Sequence, residues 1–305
     1  MKIKYPLVID GGLSNELEKQ GCNLNHKLWS ARILDENPEA IILAHLAYLE
    51  SGAHCITTSS YQATLPGFMA NGHDQARAEA LVLKSVELAE EAIRRFVAAG
   101  FKGDRPLIAA SIGPYGAYLA DGSEYHGNYG VTDAKLREFH LSRIKILDQS
   151  NADFFACETI PGIQEARVLA DILQETKKSA WMSFSCKDES HISDGSPVEE
   201  CVALFSEHPK VFAIGVNCTA PKYITGLIKS VRAKSGIKKI IVYPNSGEVY
   251  SADSKTWLGL SEPGSFAEMA KEWLAAGADI IGGCCRIGPG HIENLRKVTL
   301  LESSQ

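Results

Sequence analysis

The chain has 305 residues, 45% apolar and 22% charged, the proportions of a soluble globular protein, which exclude disorder, collagen and coiled coil. Its 31 Lys and Arg against 37 Asp and Glu give a net charge of −6, which offers no electrostatic footprint for a phosphate backbone or an anionic membrane surface. No apolar run reaches the ~20 residues of a membrane span, so the expected partners are small molecules, not nucleic acid or membrane.

The N-terminus passes from Met1-Lys-Ile-Lys-Tyr-Pro6 directly into an apolar strand with no signal-peptide core, which predicts a cytoplasmic protein. Strands are predicted where Val, Ile and Phe run together and end in small or polar residues: 7–12, 55–59, 107–113, 153–158, 180–185, 211–218, 240–245 and 279–285. Their continuous apolar character is that of parallel strands covered on both faces. Between them, helical spacing puts Leu81, Leu88, Ala92 and Phe96 on one face, and Leu136, Phe139, His140, Arg143, Ile144 and Leu147 on another. His45 and His140 are expected at the surface or core edge of their helices. Ser196-Pro-Val-Glu199 and Ser265-Phe-Ala-Glu268 have capping-box spacing, with Pro197 at a first helical position. The joints Ser51-Gly-Ala53, Ser150-Asn-Ala152 and Ala276-Gly-Ala278 predict left-handed C-caps at Gly52, Asn151 and Gly277.

Eight strands alternating with helices, and no Pro/Ser linker, predict a single α/β domain over 1–305, a (β/α)8 TIM-type barrel. An open doubly wound sheet is the alternative, although Asp10-Gly-Gly-Leu-Ser14 is not a dinucleotide-binding loop. Surplus length falls after the first strand, in the Gly/Tyr-rich segment 113–130 and in 242–257; long loops on a barrel tend to carry function.

Chemistry in such barrels gathers at the C-terminal strand ends. There the chain presents Asp10, Thr57, Thr58, Ser59, Ser111, Cys157, Glu158, Asn217, Cys218, Asn245, Cys284 and Cys285. The sixth and eighth strands flank the seventh, which brings Cys218 within reach of the vicinal pair. Three soft thiolates select Zn2+ and leave its fourth position open, whereas a structural site closes with four. On spacing alone a redox pair and cysteines buried without a ligand stay open as alternatives, and the eight cysteines are too dispersed for a disulfide scaffold. Neither H-E-x-x-H spacing nor a G-x-S-x-G elbow occurs.

Val216-Asn-Cys218 and Gly282-Gly-Cys-Cys-Arg286, with Asp10-Gly-Gly12 and Ala156-Cys-Glu-Thr159, resemble the zinc-dependent homocysteine S-methyltransferases, and the resemblance runs over 10–295. Leu28-Trp-Ser30, Gly113-Pro-Tyr-Gly-Ala-Tyr-Leu-Ala-Asp-Gly-Ser-Glu-Tyr125 and Tyr243-Pro-Asn-Ser-Gly-Glu248 are similar to the branch that uses S-methylmethionine. This resemblance implies zinc on Cys218, Cys284 and Cys285. It implies transfer of a methyl group from a sulfonium donor, S-methylmethionine or S-adenosylmethionine, to the zinc-bound thiolate of homocysteine, giving methionine. It further implies Asp10 and Glu158 on the homocysteine ammonium, with the Gly11 and Gly12 amides and the Ser59 hydroxyl on its carboxylate. A cationic donor suits aromatic faces and acidic groups, for which Trp29, Tyr115, Tyr118, Glu124, Tyr125, Asn245 and Glu248 form the pool. Asn217 is expected to position the end of the sixth strand. The competing readings are a non-catalytic zinc or thiol redox sensor, and a hydrolase using Asp10 and Glu158 as acid and base.

Overall fold

The apolar runs become β1 (Leu7–Val8), β2 (Cys55–Thr57), β3 (Leu107–Ile112), β4 (Phe154–Ile160), β5 (Ala180–Phe184), β6 (Val211–Asn217), β7 (Lys239–Tyr243) and β10 (Ile280–Ile281). These ranges come from a computed structural model that describes residues 3–24, 28–247, 249–251, 256–258 and 263–302. The eight strands are parallel, in the spatial order β1-β10-β7-β6-β5-β4-β3-β2. The ring closes between its end strands by an Ile9–Cys55 bridge, with His54 N donating to Val8 O (2.8 Å) and Asp10 N to Cys55 O (3.1 Å). The predicted barrel is therefore observed. A separate antiparallel hairpin, β8 (Val249–Ser251) with β9 (Thr256–Leu258), lies in the segment read from sequence as a loop.

Both faces of each strand are apolar because each packs against a different core. Leu7, Ile9, Cys55, Leu107, Ala109, Phe154, Ala156, Trp181, Ala213, Ile241 and Ile280 fill the barrel interior. The intervening residues, such as Val8, Ile56, Ile108, Phe155, Cys157, Met182, Ile214 and Ile240, pack outward against the helices. Since successive side chains alternate in direction, this parity decides which strand-end residues face the mouth. Continuing the inward positions gives Thr57, Ser111, Glu158, Ser183, Asn217 and Tyr243, a polar layer above the apolar plug.

The helices Gln75–Ala98 and Asp133–Asp148 bury the predicted faces, and their N-termini are capped by Asp74 and Thr132 side chains. Neither capping box forms. Ser196 precedes a short helix, Val198–Ala203, whose N-cap is Pro197, because the Ser196 amide is held by Asp194 Oδ1 (2.7 Å) in a turn. The second predicted box lies inside its helix, which already begins at Pro263. Gly52 and Gly277 adopt φ of +95° and +110° as expected. Asn151 does not adopt positive φ; at that joint Ser150 Oγ instead accepts from Ala152 N (3.3 Å). Segment 113–130 is built, not featureless: a short helix, Tyr115–Leu119, is followed by a 3-10 turn, Ser123–Tyr125. Among the described residues no helix is long and apolar enough to cross a membrane.

His45 and His140 are fully buried, not at the core edge. His140 is buried because an acid and an arginine accompany it inside, as described below. Neither ring nitrogen of His45 has a hydrogen-bond partner among the described residues, and burial pushes its imidazole down to about 4. Its folded-state value lies below the unfolded one, so its contribution is intact above pH 6.5 and is lost as pH falls toward 4. The loss from this residue approaches ~3 kcal/mol. Urea unfolding of wild type and His45→Leu at pH 7.5 and pH 4.5 should show a smaller acid loss for the variant. Equal losses would assign the acid sensitivity elsewhere.

Candidate active site

The strand ends surround a cavity of about 500 Å3 at the C-terminal mouth of the barrel. Asp10, Gly11, Gly12, Ser59, Glu158, Cys218, Cys284 and Cys285, all singled out from sequence, line it together. Among the described lining residues there are three carboxylates, Asp10, Glu124 and Glu158, and no Lys, Arg or His.

The three thiols come from two neighbours of β7. Cys218 follows β6 and adopts φ of +48°, and its amide donates to Tyr243 O (3.2 Å). Cys284 N donates to Pro244 O (2.9 Å) and Ser246 N to Cys285 O (3.1 Å), so the three loops are stitched to one another. The two glycines before the pair are a steric requirement. A Cβ at Gly283 would lie 2.0 Å from Ile287 Cγ2, and one at Gly282 would lie 2.3 Å from Ile9 Cγ1. The Asp10-Gly-Gly12 turn interlocks with this loop: Gly283 N donates to Asp10 O (3.0 Å), Gly12 N to Ile287 O (2.9 Å), and the Tyr48 hydroxyl clamps the Gly12 and Ile287 carbonyls. Left-handed backbone at Thr159, Cys218 and Arg286, none of them glycine, clusters around the same site, where such strain is commonly retained for function.

The sulfur atoms of Cys218, Cys284 and Cys285 all lie within 4.8 Å of one another, with Cys218 and Cys285 3.6 Å apart. A tetrahedral ion with ~2.3 Å metal–sulfur bonds needs sulfurs ~3.8 Å apart, so the donor set fits such an ion. Among the described residues no fourth His, Cys, Asp or Glu joins the group. The Cys285 thiol is held well below its ordinary range by hydrogen bonds from Cys218 and Cys284. Cys157, one residue before Glu158, has the opposite parity; it is fully buried in the outer core, and burial pushes its thiol up to about 12.

Both acids are buried in hydrogen-bond nests. Asp10 accepts from Thr57 N (2.7 Å) and Thr57 Oγ1 (3.1 Å); burial pushes its carboxyl well up, against the Thr57 bonds. Glu158 accepts from Ser111 Oγ and from the Tyr243 hydroxyl, and burial pushes it up to about 7. A cationic ligand would restore the ionised form of both. Ser59, 1% exposed, has an Oγ with no hydrogen-bond partner among the described residues. Gly12 lines the cavity, but its N–H is already given to Ile287 O.

Asn217 lies behind the cavity wall, fully buried. Its Oδ1 accepts from Thr159 N (2.7 Å) and Ser183 Oγ (2.8 Å), and its Nδ2 donates to Thr159 Oγ1 (2.8 Å) and, at 3.9 Å, toward Cys284 Sγ. Tyr115 does not line the cavity: it packs edge-on against Phe139 (4.9 Å) and Tyr129 (5.4 Å). Tyr118 joins that cluster, 5.7 Å from Tyr115. Asn245 also stays off the cavity, its Oδ1 closing a turn onto Gly247 N (2.9 Å). Tyr125 lines the mouth and is 65% exposed. The side chain of Trp29 and the whole of Glu248 lie outside the described residues. Tyr61, Gln62, Thr159 and Tyr243 also line the cavity, though none was named as a site residue from sequence; the inward direction of Tyr243 follows once the observed parity of β7 is extended.

A family model described as homocysteine S-methyltransferase matches residues 7–299. Homocysteine S-methyltransferase YbgG of Bacillus subtilis (strain 168) is 47% identical over 296 residues, covering 95% of this chain and 94% of the relative. Homocysteine S-methyltransferase of Escherichia coli (strain K12) is 45% identical over 292 residues, with 95% and 94% covered. The crystal structure of the metallated form of the homocysteine methyltransferase MmuM from Escherichia coli superposes with a TM-score of 0.86 at 42% identity over 95% of each chain. The relatives thus share the whole barrel, from its first strand to its last helix, and one of them has been seen holding a metal. The chain belongs to the homocysteine S-methyltransferase family.

Proposed function

We propose that this protein, with 1–305 acting as one homocysteine-binding barrel domain, transfers a methyl group from a sulfonium donor to homocysteine. S-methylmethionine is the leading donor and S-adenosylmethionine the second. The observation that carries the reading is the convergence of three thiols on a cavity whose described lining holds carboxylates and no cation, with no fourth protein ligand among the described residues. Soft sulfur donors favour zinc over harder ions, with Cys218, Cys284 and Cys285 to hold it. When bound, the ion would supply acidity that keeps a substrate thiol ionised at neutral pH.

The chain's own residues bind and aim. Asp10 and Glu158 take the homocysteine ammonium; Ser59 Oγ, free to donate, and the Gly11 N–H take its carboxylate. Asn217, at the end of β6, holds Thr159 of β4 on one side and Cys284 in the loop after β10 on the other. Homocysteine releases its thiol proton to solvent, and its sulfur pair then attacks the donor's methyl carbon in line. The sulfonium C–S bond breaks with its electrons returning to sulfur. Both products are neutral thioethers. Orientation and exclusion of water are what the cavity supplies to such a displacement. All eight cysteines are free, as a reducing compartment keeps them, and we place the reaction in the cytoplasm.

A donor panel tests this. With homocysteine, methionine should form from S-methylmethionine, two per turnover, and not from betaine or methylfolate. Turnover with betaine alone, or full activity in metal-free protein, would overturn the reading. The redox-sensor alternative has only the vicinal cysteines in its favour, and no observation supports the hydrolase.

A further inference from the structure

Three buried polar side-chain atoms on the cavity wall have no hydrogen-bond partner among the described residues: Ser59 Oγ, Gln62 Oε1 and Glu124 Oε2. A buried acceptor without a donor is costly, so such atoms mark where a ligand supplies N–H or O–H groups. Asp10 and Glu158 are different, since both already accept hydrogen bonds from the protein. Ser59 is accounted for by the homocysteine carboxylate. Gln62 Oε1 and Glu124 Oε2 are not accounted for.

Both belong to the same side of the cavity, and both are anchored. Gln62 Nε2 donates to Ala117 O (2.6 Å), which ties it to segment 113–130 and commits its other end, Oε1, as an acceptor. Glu124 sits in the 3-10 turn of that segment, against the preceding short helix. A Cβ on Gly116 would lie 2.4 Å from Glu124 N, so the turn and helix are in backbone contact. The segment is held from below, where Glu165 accepts from Tyr115 N (2.6 Å) and the Tyr129 hydroxyl (2.8 Å). Glu124 is therefore a fixed carboxylate with one oxygen sealed from solvent and no partner for it among the described residues.

We infer that Glu124 and Gln62 form the seat for the α-ammonium group of the methyl donor. The inference rests on the sulfonium-transfer reading above and adds to it which part of the donor is recognised, and by what. A sulfonium carries positive charge but no N–H, so it cannot satisfy two buried acceptors; an ammonium offers three donors and the charge. Homocysteine has one ammonium, and the Asp10–Glu158 pair takes it. The second must come from an amino-acid sulfonium.

The test compares S-methylmethionine with its deamino analogue, 4-(dimethylsulfonio)butanoate, as donors to homocysteine on metal-loaded enzyme, reading kcat/KM. Wild type should prefer S-methylmethionine by ~10- to 100-fold, the worth of hydrogen bonds to a charged group. Glu124→Ala should collapse the preference to within about threefold, with Glu124→Gln retaining a small part of it and Gln62→Leu about half on a logarithmic scale. Metal content and the homocysteine KM show that the rest of the site is intact, and Glu124→Gln decides the matter if the alanine variant loses metal. A wild-type preference surviving in Glu124→Gln overturns the inference while the function stands. Wild type that methylates homocysteine from no sulfonium overturns both.

Discussion

Cys218→Ser is expected to leave the purified protein without stoichiometric metal and to lower kcat/KM for methionine formation by ~10³-fold or more, the combined loss of thiol ionisation and of aim. The estimate has two parts. A free thiol with pKa ~8.5 is only a few per cent ionised at pH 7, so returning homocysteine to that state costs ~30-fold. A sulfur that is no longer tethered at the cavity wall loses the near-attack geometry, where a ~1 Å displacement costs ~10²-fold. Cys157→Ala is the matched control: it removes a buried thiol close in sequence to Glu158, yet its side chain lies in the outer core. That variant should keep its metal and its turnover, with a modest loss of stability. Elemental analysis and methionine formation, measured on both proteins, check the pair of expectations. Metal retained in Cys218→Ser at wild-type level would dissociate the thiol trio from metal binding altogether.

The contrast between Cys157 and Cys218 also explains how far the site was legible in the sequence. Runs such as Val211–Asn217 announce a strand and its end, and eight of them announce a barrel. The vicinal cysteines and the Gly-Gly before them carry a signal strong enough to name, since only glycine fits against Ile9 and Ile287. What single-sequence reading lacks is parity where both faces are apolar. Cys157 and Glu158 are adjacent at a strand end, and only the observed pairing shows that one faces the helices and the other the mouth. Tyr243 was lost in the same way: it looks like strand filler, yet its hydroxyl receives Trp181 Nε1 (3.0 Å), lies 2.6 Å from Ser183 Oγ and hydrogen-bonds Glu158. Segment 113–130 failed differently. Its Gly and Tyr content marks a long loop, but Tyr115 points into an aromatic cluster while Glu124 lines the cavity, a division set by a tertiary anchor far along the chain, Glu165.

That anchor belongs to a buried charge relay whose disruption should give the largest stability change outside the barrel core. Arg143, fully buried, donates to Tyr61 O (3.2 Å), to Gly113 O and to His140 Nδ1 (3.1 Å), and its guanidinium lies 5.0 Å from the Phe139 ring centroid. With Nδ1 accepting, the His140 proton sits on Nε2, which donates to Glu165 Oε1 (2.7 Å). The imidazole is thus neutral, in keeping with the burial that pushes its pKa down, and it joins a cation to an anion. Arg143→Met leaves the Glu165 carboxylate buried with no cation in the relay, which should cost ~3–5 kcal/mol in urea unfolding at pH 7.5. Glu165→Gln should destabilise by a similar route, stranding the guanidinium. The double variant Arg143→Met/Glu165→Gln should be less damaged than the sum of the two, with a coupling of ~1–3 kcal/mol, because it removes both charges at once. Catalysis should follow stability only in part. Tyr61 lines the cavity and Gly113 opens the segment that carries Glu124, so losing Arg143 loosens the donor side while the three thiols, held by the stitched loops after β6, β7 and β10, keep their metal. Strict additivity of the two losses would show that the charges do not sense each other through His140. Equal loss of metal in Arg143→Met would show that the relay supports the whole mouth, not its donor side alone.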